Sequence, residues 1–205
     1  PIKSCIAIMH NLFSDFHQLV LPDADVTYYP NFLDLIKADS YFEEFKNTIP
    51  WQQDDIKVFG KIYAQPRLTA LYSTNGKPYS YSNITMQPHN FTKELLDIKE
   101  KIEVVSKNSF TTCLLNLYRD GKDSNGWHAD NEKELGENPV IASITLGQER
   151  YFHLKHRTQK ELKYKLLLEH GSLLLMKGTT QHHWLHQIPK TAKPISERIN
   201  LTYRV

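Results

Sequence analysis

The spacing of apolar positions changes near residue 110. Before it they recur at helical intervals. Asn31 is placed to cap a helix with Phe32, Leu35, Ile36, Phe42 and Phe45 roughly on one face, closed by Pro50. A second helix is expected after Thr92, with Leu95, Leu96, Ile98 and Ile102 as its buried stripe. The first thirty residues follow neither period and read as irregular. From residue 110 onward short strands are expected over 110–118, 140–147, 150–154, 164–168, 172–176, 181–188 and 198–203, broken by turn pairs such as Asp120-Gly121 and His170-Gly171. Many short strands after a helical start predict a mainly β fold, a sandwich or jelly roll with flanking helices.

Composition narrows the class. A chain of 205 residues with 40% hydrophobic and 23% charged positions fits one globular domain with its own core. A net charge of +2 neither demands nor excludes a nucleic-acid partner, because a local patch matters more than the total. No run of about 18 apolar residues is present, so no membrane partner is expected. Cys5 and Cys113 lie far apart and suggest no disulfide framework. We therefore expect a monomer in a reducing compartment inside the cell, cytoplasm or nucleus.

The sharpest local chemistry is His128-Ala129-Asp130. On an extended segment these two side chains point the same way, which supplies an imidazole and a carboxylate to one metal. A second histidine from a distant strand would complete a facial triad suited to iron(II), with coordination positions left open. His182, His183 and His186 are candidates. Strand alternation would put His182 and His186 on one face, and spacing does not choose between them. The last strand supplies anion binding: residues 198, 200, 202 and 204 share a face, presenting Arg198, Asn200, Thr202 and Arg204 between the apolar Ile199, Leu201 and Tyr203. Arginine grips carboxylates in a bidentate fork, so this face suits a dicarboxylate.

Several segments together resemble the AlkB family of nucleic-acid dealkylating oxygenases. They are Asn116-Leu117-Tyr118-Arg119-Asp120-Gly121, His128-x-Asp130, the run 139–147, His170-Gly171-Ser172-Leu173-Leu174, Trp184-Leu185-His186-Gln187-Ile188-Pro189 and Arg198-Ile199-Asn200-Leu201-Thr202-Tyr203-Arg204. The resemblance runs from about residue 58 to 205, toward the mammalian DNA-repair demethylase branch. It implies a double-stranded β-helix over 110–205, a nucleotide-recognition segment over 58–92 and an N-terminal extension over 1–57. It also implies iron(II) on His128, Asp130 and His186, with 2-oxoglutarate held by Asn116, Tyr118, Arg198 and Arg204, and Asn200 and Thr202 in the same pocket. The implied reaction couples decarboxylation of 2-oxoglutarate by dioxygen to hydroxylation of an N-alkyl group, which leaves as an aldehyde. The implied partner is alkylated DNA, with an RNA or single-strand demethylase, or a non-catalytic lesion-binding module, as alternatives.

The resemblance also assigns Tyr79 and Tyr81 to the flipped base and Phe59 and Arg67 to contact with DNA. Phe59, between Lys57 and Lys61 and before Gly60, resembles a hairpin finger that enters a duplex; its other reading is a strand residue in the core. The family commonly carries a second acid after the iron-binding aspartate. Here that position is Asn131, followed by Glu132, which bears on preference for cationic lesions.

Overall fold

The computed structural model describes residues 15–58, 60–76, 79–81 and 84–205, with the side chains of 57, 58, 79–81, 84 and 85 left out. Its elements in chain order are β1 (His17–Gln18), β2 (Asp25–Tyr29), α1 (Leu35–Thr48), β3 (Asp55–Val58), β4 (Lys61–Ala64), β5 (Leu68–Ser73), β6 (Tyr79–Tyr81), β7 (Ile84–Met86), α2 (Lys93–Ser106), β8 (Thr112–Tyr118) and β9 (Asn125–His128). There follow β10 (Ile141–Gly147), β11 (Arg150–His156), β12 (Lys163–Leu168), β13 (Leu173–Lys177), α3 (Thr180–His183), β14 (Trp184–Ile188) and β15 (Arg198–Arg204).

Among the described residues the strands form a seven-stranded sheet in the order β1-β2-β13-β10-β15-β8-β5 and a four-stranded sheet, β12-β11-β14-β9, both antiparallel. Two short hairpins, β3-β4 and β6-β7, stand apart from them. Alternation divides the large sheet into two working faces. Leu115, Ile144, Leu201 and Tyr203 point outward onto Phe45 of α1 and Ile98 and Ile102 of α2. Tyr118, Ile141, Leu174 and Met176 point inward and meet Phe152, Leu154, Trp184 and Ile188 of the small sheet. Because helices cover one face and the small sheet the other, the central strands are buried on both sides, and full burial of each large apolar side chain stabilises by roughly 1.5–3 kcal/mol. This is the jelly roll that the strand-rich second half predicts.

Three local departures have physical reasons. Asp34, not Asn31, caps α1: its Oδ1 accepts from the Lys37 amide at 2.9 Å. The later start turns Leu35 and Ile36 to solvent and buries Ala38, Tyr41 and Phe45. Residues 25–29 form a strand, because β2 completes a ladder with β13 from Tyr29↔Leu173 to Asp25↔Lys177, a pairing about 150 residues away that local periodicity does not reveal. Residues 181–183 are helical, not extended; the amides of His182 and His183 both donate to the Thr179 carbonyl. No helix among the described residues is long and apolar enough to cross a membrane.

Candidate metal and co-substrate site

The inward face of β15 is polar throughout, with Arg198, Asn200, Thr202 and Arg204, and the neighbouring β8 and β10 add Asn116 and Ser143 beside it. Between the sheets, against this polar face, lies a pocket of about 550 Å³ counting the space that opens to solvent. Its lining includes Asn116, Tyr118, His128, Asp130, His186, Arg198, Asn200, Thr202 and Arg204. Segments spread over residues 116–204 thus bring these nine candidates to one place.

His128 ends β9 and is the cross-strand partner of His186 on β14; their ring centroids lie 4.2 Å apart. Asn125 pairs with Ile188, so β9 carries one more residue than β14 between these two pairings, a bulge. Without it residues three apart would face opposite ways; with it Asn125 and His128 both line the pocket. Ligating atoms of His128, Asp130 and His186 lie within 4.8 Å of one another, with His186 Nε2 3.5 Å from Asp130 Oδ2.

The donor set fits a metal by its tautomers and charges. His128 Nδ1 lies 2.7 Å from the Gly126 carbonyl oxygen, an atom that can only accept, so Nδ1 carries the proton and Nε2 has the lone pair, which the Asn125 side-chain amide meets at 3.2 Å and a metal would take over. Burial, with His186 beside it, pushes the His128 imidazole down to about 3, so it stays neutral at physiological pH. Burial alone would raise the Asp130 carboxyl, but Arg204 and His186 outweigh it and hold it well below the usual carboxylate range. Arg204 Nη2 donates to Asp130 Oδ1, which leaves Oδ2 turned toward His186.

A second histidine–carboxylate cluster, Asp23, His156 and His183, fails the same test. His156 Nδ1 accepts from the Gln159 amide at 3.1 Å and the Thr158 amide at 3.4 Å. Its proton therefore sits on Nε2, the atom that faces Asp23 at 3.5 Å, and no lone pair is available there for a metal.

Deeper in the pocket Arg198 is almost fully buried. Its Nη2 donates to Thr145 Oγ1 at 2.8 Å and its Cζ lies 5.2 Å from the Tyr118 ring centroid. Nε and Nη1 have no hydrogen-bond partner among the described residues, and burial pulls the guanidinium down to about 10. A buried cation with two unmatched donors is costly unless an anion completes it, and a carboxylate has the matching fork. Next to it, Asn200 donates to Ser143 Oγ and the Ile144 carbonyl, and accepts from Thr202 Oγ1 at 3.0 Å and from Asn116 Nδ2 at 3.4 Å.

Arg67 requires a correction. The segment 66–72 suggested a side chain reaching out to DNA, whereas Arg67 is buried and lines the pocket. Its Nε donates to Asn116 Oδ1 at 2.7 Å and its Nη1 to the Ser124 carbonyl at 3.2 Å, because β5 lies beside β8. His182 is exposed and bonds through Nε2 to the Glu137 carbonyl, and His183 stacks on His156. Asn131 is exposed and Glu132 half-buried, and neither is among the pocket-lining residues. Tyr79 and Tyr81 lie on the β6-β7 hairpin; their side chains, and Phe59, lie outside the described residues.

Sequence reasoning missed Ser143, Thr145 and Gln181. The first two had a signal, since they interrupt the apolar run 141–146 at the alternation of Arg198 and Asn200. Gln181 had none. It is fully buried, and its Oε1 accepts the Asp130 amide at 2.9 Å. Gln181→Ala should strand that buried amide, costing about 1–3 kcal/mol, and loosen the carboxylate. We expect iron(II) affinity to fall roughly 10- to 100-fold, the usual scale for groups that orient a metal ligand, as read by metal titration. An unchanged affinity would remove Gln181 from this role.

Residues 25–204 match the model of the 2OG-Fe(II) oxygenase superfamily. The alpha-ketoglutarate-dependent dioxygenase alkB homolog 3 of Bos taurus is 42% identical over 189 residues, which cover 85% of this chain and 64% of the relative. The DNA oxidative demethylase ALKBH2 of Arabidopsis thaliana is 37% identical, covering 89% and 66%, and that of Homo sapiens 33%, covering 82% and 68%. The chain spans just under two thirds of the alkB homolog 3 relatives, 63% to 65% of their length. The solved structure of OsALKBH1 shares the fold, with a TM-score of 0.64 at 17% identity over 92% of this chain and 100% of that one. The superfamily implies iron(II), 2-oxoglutarate and dioxygen, and the donor set described above suits them. The chain belongs to the 2OG-Fe(II) oxygenase superfamily and, within it, to the AlkB homologues.

Proposed function

We propose that this protein removes N-alkyl groups from bases in DNA by direct oxidative reversal, using iron(II), dioxygen and 2-oxoglutarate. The observation that carries the reading is Arg198, a buried guanidinium with two unmatched donors in the same pocket as a neutral, lone-pair-bearing imidazole and an ionised carboxylate. The names of the relatives, a DNA oxidative demethylase among them, support the substrate class.

In this reading His128, Asp130 and His186 hold the metal. Arg204 keeps Asp130 ionised and fixes one carboxylate oxygen, so that the other faces the metal position. Arg198 takes the far carboxylate of 2-oxoglutarate, while Asn116, Tyr118, Asn200 and Thr202 shape the pocket around its chain. Arg67, by holding Asn116, positions that wall. Iron(II), when bound, supplies the site where 2-oxoglutarate and dioxygen are brought together and the alkyl carbon is oxidised. A base stacked in a helix cannot reach a pocket between two sheets, so it must flip, and a lesion that weakens pairing flips more cheaply. Tyr79 and Tyr81 then hold the flipped base, and Asn131 and Glu132 read it.

The test is succinate release with methylated single-stranded DNA, duplex DNA, RNA and a peptide compared side by side. DNA-stimulated release is expected. Release with the peptide alone would reject the nucleic-acid reading, and tight lesion binding without any release would mark a binding module. Two variants probe the substrate contacts. Asn131→Asp should leave iron binding unchanged and raise turnover of cationic lesions relative to neutral ones, since a carboxylate favours positive charge; a constant ratio would show that this position does not read charge. Phe59 adjoins Gly60, whose φ of 80° suits the turn between β3 and β4. As a finger, Phe59→Ala should lower repair of duplex far more than of single strands with little change in Tm, by up to the ~1–3 kcal/mol of one base–aromatic stack. Equal loss on both substrates in a less stable protein would end the finger reading.

A further inference from the structure

The small sheet turns Phe152, Leu154 and Trp184 into the core, and alternation leaves its other face to solvent. On that face Tyr151 stands opposite Leu167, His153 opposite Lys165 and Lys155 opposite Lys163. Trp127, exposed on β9 one residue before His128, stands at the far edge of the same sheet. Two lysines rest on rings: Lys155 Nζ is 4.3 Å from the Trp127 centroid and Lys165 Nζ is 3.6 Å from that of Tyr151. Two grooves cross the face, of about 730 and 1020 Å³ including open solvent. They share His153 and Lys165, so one leads into the other, and the second continues to Lys190 and Lys193.

The charge on this face is one-sided. Five lysines, 155, 163, 165, 190 and 193, line the grooves against one acid, Glu149. None of the five is in an ion pair among the described residues, although Lys46, Lys93, Lys99 and Lys177 are. Uncompensated cations interleaved with exposed aromatic rings are the two halves of a single-strand site: ammonium groups for phosphates and flat rings for unpaired bases. An ammonium parked on a ring can move to an arriving phosphate and free the ring for a base. An acidic protein surface would use the charges but leave the rings without a purpose. Duplex DNA would offer phosphates but no free base faces.

We propose that the outward face of the small sheet, from Trp127 across Lys155, His153 and Lys165 to Tyr151, binds single-stranded polynucleotide as an accessory track running from beside the metal ligand His128. It rests on the nucleic-acid reading above, but binding here needs neither metal nor turnover, so the two can fail separately.

The test measures fluorescence anisotropy of the full chain, without metal, on unmodified single-stranded oligodeoxynucleotides of about 4 and about 16 nucleotides, the span of common single-strand sites. The longer strand should bind more tightly. The double variant Lys163→Glu/Lys165→Glu should lose most of that gain, and its log–log salt slope should drop by about 1.4, at ~0.7 per phosphate contact. Tyr151→Ala, which keeps every charge, should weaken the long strand roughly tenfold, the scale of one lost base–aromatic stack. Turnover of the short methylated strand and Tm should stay as in the parent protein. Parent-like affinity and salt slope in the double variant would overturn the proposal. So would equal binding of polyglutamate with no effect of Tyr151→Ala, which would make the face a site for acidic protein. Length-dependent binding that follows these variants in a protein without demethylase activity would keep the track and reject the proposed reaction.

Discussion

Asp130→Ala should abolish turnover and iron(II) binding, and it should also cost stability. The carboxylate does two jobs at once: one oxygen accepts from Arg204 and the other faces His186 at 3.5 Å. Removing it takes away the only anion among the three metal-facing side chains and a carboxylate partner of the buried Arg204 guanidinium. Breaking a buried ion pair from one side costs up to about 3–5 kcal/mol, since the remaining charge loses its counter-ion while still held out of water. Asp130→Asn separates the two effects: it keeps the shape and one acceptor for Arg204 but lacks the negative charge. We expect it to melt closer to the parent protein while binding iron(II) as poorly as the alanine variant. Metal titration with thermal melting checks both, and retained activity in either variant would contradict the triad.

Arg198→Ala should weaken 2-oxoglutarate binding by about 2–5 kcal/mol, the usual loss when one partner of a buried hydrogen-bonded charge pair is truncated. The ligand-free protein should respond in the opposite sense to Asp130→Ala. Arg198 is buried with Nε and Nη1 unmatched among the described residues, and burial outweighs the support it has from Tyr118, so in the absence of an anion it adds little stability. Its removal should leave the Tm of the ligand-free protein near or above the parent value while abolishing the rise in Tm that 2-oxoglutarate produces. Arg198→Lys should recover part of the affinity, because it restores charge but not the planar fork. Unchanged co-substrate affinity in the alanine variant would remove Arg198 from the clamp.

How far the sequence could be read depended on whether the deciding interaction was local. The face of β15 was legible because period 2 holds strictly in a strand paired on both sides: residues 198, 200, 202 and 204 line the pocket, and Ile199, Leu201 and Tyr203 enter the helix-side core. His128 and Asp130 were legible as a pair although β9 is an edge strand that ends at His128, because their two-residue spacing still brings both ligating atoms together with that of His186. The choice among His182, His183 and His186 was not, because alternation assumes an extended chain and residues 180–183 turn once as a helix. Arg67 was misplaced because its burial depends on Asn116 in the neighbouring strand, 49 residues away. The strand at 25–29 and the role of Gln181 were likewise hidden, since each exists through a partner distant in sequence, β13 for one and the Asp130 amide for the other. The bulge that turns Asn125 and His128 to one side shows only in the β9-β14 register.

In the proposed reaction the pocket couples oxidation of 2-oxoglutarate to removal of an alkyl group from a base. The most direct measurement counts both products in one reaction: succinate and formaldehyde from iron(II)-loaded protein with single-stranded DNA carrying an N-methylated base. Equal amounts of the two are expected, in step with loss of the methylated base, and neither product from Asp130→Asn. Succinate without formaldehyde on every methylated strand, with the methylated base intact, would contradict it.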